Sequence, residues 1–199
     1  MQMQLRKKFK DSLTQEFLNY YLRTFTYDRM IYGHWNAGNY SHVDPVYHKC
    51  IYLKDKEIRV CHFAKANMDL YKHTFNRNYK STSICLSCCA GAQTDNLGAF
   101  PPLPGQIQEM IKLIADICCQ LKIPVGNFLS HSEAGDNKDG GDFHTPYGFE
   151  NGCEKWDLHV YINPLTKRIY APLTKIVDKN IIWLEDYIRE EVMKLIMKK

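Results

Sequence analysis

Apolar positions along the chain recur with two periods. Between Leu5 and Phe25, Phe9, Leu13, Phe17, Tyr20 and Tyr21 are spaced three and four apart, which predicts an N-terminal helix with one apolar face. The same period returns over Gln106 to Leu121, where Ile107, Met110, Ile111, Ile114, Ile117, Cys118 and Leu121 form a stripe and Pro124 lies just beyond the end. It returns again over Ile181 to Met197, through Ile181, Leu184, Ile188, Val192, Leu195 and Ile196. There the following Lys198-Lys199 suits a helix C-terminus.

Shorter runs read as strands. Met30 to Trp35 is apolar and closes on the turn-forming Asn36-Ala37-Gly38-Asn39. Val46 to Leu53 and Ile58 to Phe63 flank Lys54-Asp55-Lys56-Glu57 and predict a hairpin. Ile84 to Gly91 predicts a buried strand, and Val125 to Ser130 predicts another that delivers His131. Leu158 to Ile162 and Arg168 to Tyr170 pair across an Asn163-Pro164 turn. The order strand, hairpin, strand, helix, strand gives an α/β fold with a mixed central β-sheet flanked by helices. No repeat or linker interrupts it. The expectation is one domain over residues 1–199, with a core at 29–160 and added helices at 1–25 and 181–198.

Composition narrows the function classes. At 199 residues the chain can bury one sizeable core. A net charge of +4 suits a polyanionic surface such as a bacterial wall and does not by itself indicate nucleic acid, so no nucleic-acid partner is expected. No apolar run approaches the ~20 residues of a membrane span, so no stable membrane insertion is expected. The first ten residues are basic without a following apolar segment, which predicts synthesis in the cytoplasm without a signal peptide. Most of the eight cysteines sit in apolar stretches with no paired CxxC motifs, and they read as buried free thiols of a reducing compartment. Cys85, Cys88 and Cys89 share one predicted strand, whose alternation cannot aim all three sulfurs at one ion.

The chemistry concentrates between Phe128 and His159. His131 follows a strand end, a long polar loop follows it, and the loop closes on Lys155-Trp156-Asp157. A histidine and a carboxylate so placed can meet, and His34 at the mouth of an earlier strand supplies a third ligand. Two imidazoles and one carboxylate suit a catalytic zinc, which keeps a further position for water. A core histidine bonded to a backbone carbonyl is the competing reading of His34.

These residues carry a resemblance. Gly33-His34-Trp35-Asn36-Ala37-Gly38 resembles the H-x-[ST]-A-G strand of the zinc N-acetylmuramoyl-L-alanine amidases, a family that includes phage endolysins and peptidoglycan-recognition proteins. Val46-Tyr47-His48 with its charged turn is similar to the family's YH strand. Leu129-Ser130-His131-Ser132-Glu133 resembles its second metal-histidine motif, and Lys155-Trp156-Asp157 its closing motif. Ser83 to Ser87 with Cys89 to Ala92 resembles a central strand of the phage and prophage branch.

The resemblance implies an amidase/PGRP-like fold with Zn2+ held by His34, His131 and Asp157. It implies Tyr47 beside the attacking water and Lys155 as the cation for the oxyanion. The implied reaction is hydrolysis of the amide between N-acetylmuramic acid and L-alanine in peptidoglycan, by a phage or prophage endolysin that reaches the wall through holin-type release. Two departures stand out. Ser87 occupies the position where many members carry a glutamate base, and the segment between His131 and Lys155 is longer than usual. That segment reads as a rim or lid bearing Phe143, Tyr147 and Phe149, with a calcium loop at Asp136 to Gly140 as the competing reading. Among the other histidines, His159 shares a predicted strand face with Asp157 and is a candidate outer partner, while His48 points away from Tyr47. Two other functions compete: a metal-free peptidoglycan-binding module on the same fold, and a cysteine-type wall amidase or peptidase using Cys153.

Overall fold

The computed structural model describes residues 29–139, 155–176 and 178–198. The N-terminal helix expected over residues 1–25, and the inserted loop with Phe143, His144, Tyr147, Phe149 and Cys153, lie outside the described residues.

A five-stranded mixed sheet forms the centre. Its strands are β1 (Met30–Trp35), β2 (Lys49–Lys54), β3 (Glu57–His62), β4 (Ser81–Leu86) and β5 (Phe128–Ser130), in the order β3-β2-β4-β1-β5. β1 runs parallel to β4 on one side and to β5 on the other, and β2 runs parallel to β4. A strand with partners on both edges and cover on both faces needs apolar residues throughout, and all six residues of β1 are buried. β2 and β3 are antiparallel, joined by Asp55 and Lys56, both with φ in the left-handed region at 53° and 64°. Two left-handed residues in a row make the tight turn whose twist matches a hairpin.

Two helices cover one face. α1 (Pro104–Leu121) begins with a proline, whose missing N–H costs nothing in the first helical turn. Buried Gln106 ties its start to the sheet, with its Nε2 donating to the Ile51 carbonyl at 3.2 Å and the Ser87 carbonyl at 3.0 Å. The stripe of α1 packs with Ile31, Ile51, Ile84 and Leu86 in one core that also takes Leu184, Ile188 and Val192. The short helix α2 (His131–Gly135) lies on the other face, where Ala134 packs with Met30, Tyr32 and Leu129. β6 (Tyr161–Ile162), β7 (Ile169–Tyr170) and β8 (Ile182–Trp183) make a small second sheet, followed by α3 (Leu184–Ile196). The fold is therefore α/β with a mixed central sheet flanked by helices. Among the described residues, no helix is long and apolar enough to cross a membrane.

Four expected boundaries shift. The hairpin's first strand begins at Lys49, not Val46, because 45–48 form a turn and bend. β4 covers Ser81–Leu86 instead of Ile84–Gly91, since buried Ser81, Thr82 and Ser83 continue the ladder that their polarity conceals. Val125–Asn127 is a 3-10 turn, and strand pairing begins only where Phe128 meets Ile31. Ile182 and Trp183 pair with Ile162 and Tyr161, delaying the last helix to Leu184. Trp183 stacks on Tyr161 with ring centroids 3.8 Å apart.

Candidate metal centre

β1 and β5 are adjacent and parallel, so their carboxyl ends open at one edge of the sheet, the usual place for a site in such folds. His34 lies in the last turn of the pleat of β1. Alternation sends Ile31 and Trp35 to the α1 side and leaves His34 on the face of Met30 and Tyr32. His131 is the first residue of α2, directly after β5. Its place is set by a reciprocal cap: Ser130 Oγ accepts the Glu133 N–H at 3.1 Å, and Glu133 Oε2 accepts the Ser130 N–H at 3.0 Å. Arg189 on α3 grips the same carboxylate through both oxygens at 2.9 Å and donates to the Phe128 carbonyl at 2.9 Å.

Asp157 reaches the site because its neighbours pack into β1. Trp156 stands edge-on to Trp35 with centroids 4.7 Å apart. Leu158, with φ at 64°, turns into the core over Gly33, where a Cβ would lie 2.5 Å from Leu158 Cδ1. Glycine at 33 permits this approach.

The three predicted ligands converge. One ligand atom from each of His34, His131 and Asp157 lies within 4.8 Å of the others, and no second group of this kind occurs among the described residues. Asp157 Oδ2 is 3.0 Å from His131 Nδ1 and 3.4 Å from His34 Nδ1. Two donors about 2.0–2.2 Å from a shared tetrahedral ion stand about 3.4 Å apart, so the spacing suits zinc. The His34 side chain is fully buried and its Nδ1 has no hydrogen-bond partner, whereas His131 and Asp157 keep 12% and 15% of their side chains accessible. A buried imidazole nitrogen left unpaired beside a carboxylate is costly unless a cation completes it. The donor set fits zinc and leaves one side open.

Charges in the site follow from burial. Desolvation, opposed by the neighbouring Asp157 carboxylate and assisted by His131 and Lys155, brings His34 down to about 4. Burial raises the Asp157 carboxyl, but the charge and hydrogen bond of His131, then the nearby His34 ring, outweigh it and hold it well below the carboxylate range. Both groups are thus in the states that metal ligation requires.

Tyr47 lies in the bend before β2, half-buried, with its ring 5.0 Å from that of His34. Burial, then Cys85 and Asp157, push its phenol far above the usual value, so it stays protonated. Lys155 is exposed at the rim, and its charge is felt at His34.

Two expectations change. His48, outside the strand, does not project away from the site region. Its ring lies 5.4 Å from His73, which is 5.7 Å from His34, and its Nε2 donates to the Asp69 carbonyl at 2.7 Å. His159 turns from Asp157 to Glu185 at 2.8 Å and stacks on Trp183. In the acidic run after α2, Asp139 is buried against Arg77, which reaches both its oxygens, and receives the Tyr32 hydroxyl at 3.1 Å. The matching position Ser87 donates to the His42 carbonyl at 2.5 Å and lies beyond the end of β4.

The seven described cysteines are free thiols, five of them buried. Burial pushes the Cys85 and Cys88 thiols well up and Cys118 to about 12, which makes poor nucleophiles of them.

Sequence reasoning missed Thr74, whose Oγ1 lies 3.2 Å from His34 Nε2, and His73 behind it. Their loop has no strand or helix period. The available signal was a histidine-threonine pair in a polar segment, which alone names no partner.

No protein-family model matches the chain, and no curated protein matches it. Among the solved structures similar to the chain are these two. One is the N-acetylmuramyl-L-alanine amidase AmiD from E. coli, in complex with its substrate anhydro-N-acetylmuramic acid-L-Ala-D-gamma-Glu-L-Lys. It is 20% identical with a TM-score of 0.42, over 57% of this chain and 52% of that one. The other is AmpDH3 from Pseudomonas aeruginosa, 19% identical with a TM-score of 0.45, over 72% of this chain and 65% of that one. The chain thus spans about half of the first structure's length and just under two thirds of the second's.

Proposed function

We propose that this protein is a zinc-dependent N-acetylmuramoyl-L-alanine amidase. It would hydrolyse the peptidoglycan amide between the lactyl group of N-acetylmuramic acid and L-alanine, as a phage or prophage endolysin. The observation that carries the reading is the unpaired, buried His34 Nδ1 facing Asp157 Oδ2 at 3.4 Å, with His131 Nδ1 closing the set. The order of the motifs around these residues supports it.

His34, His131 and Asp157 would hold the ion. Bound there, zinc supplies a Lewis acid that makes water nucleophilic near neutral pH and polarises the scissile carbonyl. The chain's own groups do the rest. Tyr47, protonated at all working pH values, orients the attacking water and donates a hydrogen bond rather than taking a proton. Lys155, exposed at the rim, meets the negative charge that develops on the carbonyl oxygen. A positive chain, +4 overall, favours approach to a polyanionic wall.

Digestion of purified sacculi tests the proposal. Mass spectrometry should find lactyl-terminated glycan and free L-alanine N-termini, lost on chelation and restored by Zn2+. Intact lactyl-alanine bonds after incubation with zinc-loaded protein would refute it.

A further inference from the structure

The orientation of His34 is governed from beyond the metal site. Its Nε2 lies 3.2 Å from Thr74 Oγ1, which lies 2.8 Å from His73 Nδ1. His73 Nε2 lies 3.2 Å from Ser81 Oγ, and Ser81 Oγ lies 2.6 Å from the Arg77 carbonyl. All four side chains are buried.

The direction of this chain follows from its last link. A carbonyl only accepts, so the single Ser81 hydroxyl proton goes to Arg77 O. Ser81 Oγ must then accept from His73 Nε2–H, which leaves His73 Nδ1 bare. That bare nitrogen takes the Thr74 hydroxyl proton, and Thr74 Oγ1 accepts from His34 Nε2–H. His34 Nδ1 is left as a lone pair, and it is this atom that has no partner.

The direction matters because Asp157 pulls the other way. A carboxylate oxygen 3.4 Å from His34 Nδ1 favours a proton on that nitrogen, which would block ligation. We propose that Ser81, His73 and Thr74 form a directional relay that fixes His34 in the tautomer whose Nδ1 lone pair faces the cation position. The three are positioning residues, outside the ligand set of His34, His131 and Asp157. Metal-bound imidazoles are commonly oriented through their second nitrogen, but here one threonine passes on a direction set two residues further back.

The loop bearing Thr74 is itself anchored. Asn78 Oδ1 accepts the His73 and Thr74 N–H groups, each at 2.9 Å, and Arg77 joins Asp139 beyond α2. The relay is therefore tied to the element that carries His131.

This inference rests on reading the three residues as a cation site, and the test separates the two. Histidine 15N NMR on metal-free protein at neutral pH reports tautomers directly, and zinc alone, titrated against a competing chelator, reports affinity. In the wild type His34 should show bare Nδ1 and protonated Nε2. In Thr74→Val the proton should move to Nδ1, and the zinc Kd should rise about 10- to 100-fold. Thr74→Ser should restore both, and Ser81→Ala, remote from every ligand, should shift both in the same direction as Thr74→Val. If Thr74→Val does not fold, Ser81→Ala and the wild-type spectrum decide. A wild-type His34 protonated at Nδ1 overturns the relay, as does zinc binding left unchanged in Ser81→Ala. If the tautomers respond as stated but no variant or wild type binds zinc, the relay stands and the metal reading fails.

Discussion

Gly33 and Leu158 approach so closely that a methyl group on Gly33 would stand 2.5 Å from Leu158 Cδ1. This contact joins the strand of His34 to the segment of Asp157, and it makes ligand geometry depend on a residue that binds nothing. Gly33→Ala should displace Leu158 and cost about 1–3 kcal/mol of stability by overpacking. It should also weaken zinc binding by at least about tenfold. Chemical denaturation and chelator competition measure the two effects. Unchanged affinity would show that Asp157 is positioned independently of this contact.

The Glu133–Arg189 pair makes a second prediction. Both side chains are buried, and Glu133 is held below its ordinary value because the Arg189 charge and hydrogen bonds overcome the rise that burial causes. Arg189→Met leaves a buried carboxylate without its partner, which typically costs about 3–5 kcal/mol. The denaturation midpoint of Arg189→Met should drop accordingly, and Glu133→Leu/Arg189→Met should recover much of the loss. Equal midpoints in wild type and Arg189→Met would contradict this account.

The site side chains separate by what they lose. Asp157→Ala should abolish stoichiometric zinc. Tyr47→Phe and Lys155→Met should keep it and lower kcat by about 100-fold or more, since each removes a donor or charge needed only in the transition state. Zinc content measured alongside turnover tells ligand from helper.

Acid should destabilise the metal-free protein. His34 titrates near 4 when folded and near 6.5 when unfolded, so between these values the unfolded chain binds more protons and stability falls as pH falls. At pH 5, His34 alone accounts for about 2 kcal/mol. His73 and His48 are also lowered by burial and add to the loss. Denaturation midpoints at pH 7.5 and pH 5 test this, and equal values would mean that His34 is not buried neutral.

Much of the fold was legible because it is written in period. β1 is one apolar run, and the stripe of α1 repeats every three or four residues. The polar strand Ser81-Thr82-Ser83 was not legible, because its backbone ladder, not its side chains, places it between β1 and β2. Nor was the 3-10 turn before β5. The positions proposed as ligands stood out because histidine after a strand end is a chemical as well as a local signal. Thr74 and His73 carry no such signal: their contact with His34 is made across 40 residues by a loop whose course depends on Arg77 and Asp139 meeting. His159 misled because the segment after Asp157 turns at Leu158 and does not continue as a strand.

The most direct measurement is an anomalous-scattering scan at the zinc edge on crystals grown with Zn2+, paired with Asp157→Ala crystals grown alike. The account predicts one peak per chain, bonded to His34 Nδ1, His131 Nδ1 and an Asp157 oxygen, and no peak there in the variant. A wild-type crystal with no peak between these residues, or a peak that survives Asp157→Ala, would contradict it.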